Sequence, residues 1–168
     1  MPRQATVYRI LMVSPADVEY EPKVTREVID SWNAANSLKY RAILELVFWH
    51  TNATSEICGR PQSILNRQLA DSCDILIGTF KTRLGTPTGV AEPGTVEERE
   101  IFVKAGKPVF LYFSLVPSRR VDSTQYQRLM EFKEECSKEG IVFEYESINA
   151  FRELLQRHIT STINSIHQ

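Results

Sequence analysis

Five short apolar runs punctuate the chain, at Val7–Val13, Ile43–Trp49, Ile75–Phe80, Val109–Phe113 and Ile141–Tyr145. They are short enough for the buried strands of a parallel sheet. The segments between them follow helical spacing. The first helix is predicted from near Ser14 to Asp17 toward Ala35, with Val24, Val28, Ile29 and Trp32 on one face and Pro22 tolerable only in its opening turn. A second begins at Pro61 and carries Ile64, Leu65 and Leu69. A third starts at Thr95 and stops at Ala105-Gly106-Lys107-Pro108, where glycine ends the helix and proline leads into a strand. A fourth spans about Ser123 to Lys138, before Gly140, and a fifth runs from about Ile148 to the end.

Strand and helix thus alternate along the chain, the signature of an α/β fold: a doubly wound parallel sheet covered by helices on both faces. The flavodoxin-like strand order 2-1-3-4-5 is expected, in a single domain over residues 1–168. Composition agrees, since 168 residues with 42% hydrophobic content are enough for one substantial core. The 20 basic and 21 acidic residues nearly cancel, so no overall field draws the chain to nucleic acid or to an anionic membrane surface. Cys58, Cys73 and Cys136 are too scattered for a zinc site or a disulfide framework. The apolar run before Asp17 and Glu19 is too short for a signal peptide and no stretch reaches membrane-span length, so a cytoplasmic location is expected.

Doubly wound sheets bind ligands outside the carboxyl ends of their strands. That rule selects Ser14, Trp49, Thr79 with Phe80, and Ser114 as candidate contacts; His50, beside Trp49, reads as a solvent-facing loop histidine and is given no role. The loop from Lys81 to Gly94 is long for such a fold and offers Arg83 as an anion handle. Neither familiar phosphate fingerprint occurs, which argues against a kinase or a P-loop ATPase. Beyond the loop, Thr95 and Glu98 have the spacing of a capping box. On a helical wheel Glu98 also falls near the centre of the apolar arc of Ile101, Phe102 and Ala105, which puts it beside the expected pocket. Cap and catalyst both remain open for Glu98 on spacing alone. Ser14 suits a helix cap as well as a ligand contact, and aromatics at strand ends such as Trp49 and Phe80 suit the core as well as a base-stacking surface. Asp74 is expected to make a turn or capping bond, and Arg119-Arg120 a solvated turn.

The stretches "MVSPADVEYEPKVTREVIDSWN", "GRPQSILNRQLADSCDILIGTFKTRLGTPTG", "PGTVEERE" and "AGKPVFLYFS" together resemble a bacterial TIR-like domain family, over roughly residues 7 to 114. That family is found as the N-terminal module of multidomain, NLR-like or repeat-bearing proteins. It is similar to TIR domains and to nucleoside 2-deoxyribosyltransferases, in which a glutamate near the start of the corresponding helix acts on an N-glycosidic bond. The deoxyribosyltransferase pattern G-T-x-x-E falls on Gly94, Thr95 and Glu98. His50, Lys81 and Pro93 stand where the family often has an acid, a tryptophan and a serine.

The resemblance implies an N-glycosidase that hydrolyses NAD at the nicotinamide–ribose bond, serving as an effector of antiphage or stress defence. Glu98 is the implied catalytic residue, with Ser14, Trp49, Thr79, Phe80, Arg83, Thr95 and Ser114 as substrate contacts. NAD enters as substrate, with no cofactor or metal, and the implied partners are copies of the chain itself or a fused sensor domain. Two other readings share the same residues: a non-catalytic self-association module, and a nucleoside or nucleotide glycosidase or 2-deoxyribosyltransferase.

Overall fold

The computed structural model describes residues 1–15, 17–48, 68–84 and 94–167, and the side chains from residue 99 onward within the helix that opens at 94. The expected helix start at Pro61, together with Trp49, His50 and Cys58, lies outside the described residues. The elements run β1 (Thr6–Val13), α1 (Glu21–Tyr40), β2 (Ala42–Phe48), β3 (Ile75–Phe80), α2 (Gly94–Lys104), β4 (Val109–Ser114), α3 (Ser123–Ser137), β5 (Val142–Tyr145) and α4 (Ile148–Ile166). A further helical stretch at 68–72 precedes β3. The five strands form one parallel sheet in the order β2-β1-β3-β4-β5, the flavodoxin-like arrangement expected from the alternation.

Burial follows from that order. All six residues of β3 are buried, because the strand is flanked by β1 and β4 and covered on both faces. On one face Val24, Val28, Ile29 and Trp32 of α1 pack with Phe151, Leu155, Ile159 and Ile163 of α4 over Ile10, Ile75 and Ile77. On the other face Phe102 of α2 and Leu129, Phe132 and Cys136 of α3 pack over Leu76, Phe80, Leu111 and Phe113. Leu69 of the 68–72 stretch is half-buried against this second core. Among the described residues no helix is long and apolar enough to cross a membrane.

Two helices differ from expectation. α1 opens at Glu21 rather than near Ser14 to Asp17; its N-cap Tyr20 gives no side-chain cap and Pro22 sits in the first turn. The reason is that Ser14 and Asp17 bond to the end of β3 instead of to the N–H groups of α1. α1 also runs past Ala35 to Tyr40 and stops at Arg41, which adopts the left-handed conformation at φ 52°. α2 opens at Gly94, so Thr95 stands inside its first turn rather than ahead of it. Its buried face holds Arg99 and Phe102, with Ile101 half-buried; Ala105 is exposed on the closing turn before Gly106, at φ 69°.

Candidate active site at the carboxyl edge of the sheet

Because every strand is parallel, their carboxyl ends share one edge, and the helices that follow them begin there. The residues at and just beyond that edge form a connected polar row. Thr79, fully buried near the end of β3, donates its hydroxyl hydrogen to Ser14 Oγ at 3.0 Å, so two of the expected contacts are joined to each other. The half-buried Ser14 stands directly after β1.

Asp17 continues the row. Its Oδ2 accepts from the backbone N–H of Thr82 at 2.8 Å and from the Thr82 hydroxyl at 2.6 Å, tying the β1–α1 loop to the segment after β3. The same carboxylate faces Arg83, with Oδ1 3.7 Å from Nε. Arg83 is thus present at the edge, as its place in the sequence implied, and it arrives with a counter-ion that sequence reasoning did not name.

Further along, the Tyr145 hydroxyl at the end of β5 donates to Glu21 Oε1 at 2.7 Å, and the backbone N–H of Tyr20 reaches Glu21 Oε2 at 3.2 Å. Burial, reinforced by the Glu21 carboxylate, pushes the Tyr145 hydroxyl well above the ordinary tyrosine range, so it stays a neutral donor. The Ser114 hydroxyl bears on the same tyrosine and accepts from the backbone N–H of Val116 at 3.2 Å. Ser114 and Tyr145 are register partners across β4 and β5, which is why the contact forms.

Phe80 has a different place. Its side chain is fully buried, with the Phe113 and Phe132 rings at 5.2 Å and 5.9 Å. Of the two uses open to a strand-end aromatic, this is the core one. Trp49 lies outside the described residues, and Thr95 and Glu98 are placed by backbone alone. Glu98 stands one helical turn before the fully buried Phe102, in a helix that packs on β3 and β4 and whose N-terminus faces the carboxyl edge.

Asp17, Glu21, Thr82 and Tyr145 were missed by sequence reasoning. The signal for Asp17 was available, since it lies in the loop just after the first strand, whereas Glu21 already opens α1. Their partners, 65 and 124 residues away, could not be read locally. Chemically, among the described residues the edge presents hydroxyls, the carboxylates of Asp17 and Glu21, Arg83 and the N-termini of helices, so Arg83 and the helix N-termini are the groups suited to negative charge on a polar ligand. Among the described residues no group of His, Cys, Asp and Glu side chains converges as a metal site.

No curated protein matches the chain. A family model does, over residues 27–160, from within α1 to within α4. The chain therefore belongs to the family described as Domain of unknown function (DUF4062).

Proposed function

We propose that the protein is a TIR-like N-glycosidase that hydrolyses NAD at the nicotinamide–ribose bond as an effector in bacterial antiphage or stress defence. The observation that supports this reading is the place of α2 in the fold: it follows β3, packs on β3 and β4 and begins toward the carboxyl edge, with Glu98 in its first turns. The reaction class comes from the resemblance to TIR domains and deoxyribosyltransferases.

One carboxylate suffices for this substrate. Nicotinamide leaves from a cationic ring as a neutral molecule, so no strong acid need protonate it, unlike an ordinary sugar leaving group. Glu98 stabilises positive charge developing on the ribose. Water supplies hydroxyl to the ribose carbon, and the products are nicotinamide, ADP-ribose and a proton. Arg83 and the first N–H groups of α2 receive the pyrophosphate.

The test is NAD turnover by wild type, Glu98→Gln and Glu97→Gln, with thermal melting on the same samples. Glutamine matches glutamate in size and nearly in helix propensity, so the fold should lose little, on the order of 1 kcal/mol or less. Losing the anion should slow turnover roughly a hundredfold or more. Glu98→Gln that melts normally and is inactive, beside an active Glu97→Gln, supports the reading; near-normal turnover removes Glu98 from the mechanism. Exchange of free bases with deoxyribose would redirect the assignment to a transferase. Absence of turnover even at forced high concentration would leave a self-association module.

A further inference from the structure

The Asp17–Arg83 pair is an ion pair that stops short of a hydrogen bond. Asp17 Oδ1 and Arg83 Nε lie 3.7 Å apart, and each is a buried atom without a hydrogen-bond partner among the described residues. Nothing comparable burdens the other carboxylate oxygen, which accepts two bonds from Thr82. One half of Asp17 thus fixes the loop after β3, and the other half faces a guanidinium. The Arg83 side chain remains 34% exposed, so its far end reaches the surface while Nε stays buried.

We infer that Asp17 is a positioning residue that holds Arg83 at the carboxyl edge as a phosphate receptor, so that the site selects a nucleoside diphosphate group over a bare nucleoside. This rests on the edge being a nucleotide site, and not on the glycosidase chemistry. A guanidinium tethered through Nε leaves its two terminal nitrogens free to fork onto phosphate oxygens. Two effects of Asp17 oppose each other. Its charge lowers the local positive potential, which weakens anion binding; its presence compensates a partly buried cation, which keeps Arg83 in place. The second prevails, because a buried guanidinium nitrogen without a counter-charge turns out to solvent and leaves the edge.

The probes are ADP and adenosine, with Kd measured by calorimetry on the full chain. Wild type binds ADP more tightly than adenosine. Arg83→Gln loses roughly tenfold to a hundredfold in ADP affinity, the range of a charged hydrogen-bonded contact, and keeps its adenosine affinity. Asp17→Asn weakens ADP in the same direction, and the double variant loses no more than Arg83→Gln alone, because the two residues act as a unit. Asn33→Ala, whose amide bonds the backbone of Leu44 in β2 and takes no part in the edge, lowers the melting temperature without touching the preference for ADP. The proposal is overturned if wild type fails to prefer ADP, if Asp17→Asn binds ADP as well as or better than wild type, or if the losses of the two single variants add. A chain that shows this ADP pattern but never turns over NAD removes the glycosidase reading and leaves the phosphate receptor standing.

Discussion

Gly78 explains why Phe80 is core. The two residues share a face of β3, and a Cβ at Gly78 would lie 2.8 Å from Leu111 Cδ2 and 2.9 Å from Phe80 Cε2. The missing side chain is the space into which the Phe80 ring packs. Gly78→Ala should therefore destabilise the fold by about 1–3 kcal/mol through overpacking, read as a shifted denaturation midpoint at unchanged slope. An unchanged midpoint would mean that Phe80 and Leu111 repack freely. His158 gives a second residue-scale prediction. Its Nδ1 lies 2.7 Å from the Tyr112 hydroxyl and its ring 4.3 Å from Phe143, and burial, followed by the charge of Arg157, lowers its pKa below the ordinary 6.5. The unfolded chain then takes up the proton first, so stability rises with pH through the region below 6.5 and falls on acidification. Wild type should lose more stability than His158→Gln between about pH 7 and about pH 5, measured by urea melts across that range. Parallel curves for the two proteins would assign the acid sensitivity to other groups.

The strands were legible in the sequence because each is a short, predominantly apolar run, broken at most by one charged residue such as Arg9, Glu45 or Glu144, a pattern that depends on nothing outside itself. The start of α1 was not, and the reason lies in particular side chains. Ser14 and Asp17 have the chemistry of N-caps, but Thr79 and Thr82 offer them partners across the sheet edge, and long-range bonds won over local ones. The same competition hid Asp17, whereas Ser14, Thr79 and Ser114 were selected by the carboxyl-edge rule and Arg83 by the length of the loop after the third strand. Asn33 of α1 makes a comparable long-range bond at an edge strand. Its side-chain amide donates to the carbonyl of Leu44 at 2.9 Å and its oxygen accepts the N–H of Leu44 at 2.8 Å, so it occupies both backbone groups of Leu44 on the free edge of β2. A free edge invites pairing with another chain, and Asn33 blocks that in the middle of β2. Asn33→Ala leaves both groups unmatched at a cost of about 1–3 kcal/mol, or very roughly 2–10 °C in melting temperature for a domain of this size. A melting temperature within a degree or so of wild type would indicate that water replaces the amide.

At the scale of the whole molecule, the two helical layers share only the sheet, and β3 is the strand through which both cores must act. Its residues belong alternately to one core and the other: Ile75 and Ile77 pack beneath α1 and α4, Leu76 and Phe80 beneath α2 and α3. Neither layer can open without exposing one side of β3, so its amides should exchange with solvent only when the whole domain unfolds. β5 is the opposite case, a four-residue edge strand whose Glu144 is exposed and whose Val142 and Phe143 are half-buried. Hydrogen exchange should rank Ile75–Phe80 slowest and Val142–Tyr145 fastest among the strands. The Gly78→Ala variant sharpens the test, because a substitution in the shared strand lowers the global barrier and leaves fraying of an edge untouched. Exchange of the β3 amides should accelerate by the same free energy that the variant loses in denaturant, with β5 exchanging as in wild type. If β3 accelerates only on residues facing α2 and α3, the layers open independently, and the site at the carboxyl edge rests on two separable halves instead of one cooperative unit.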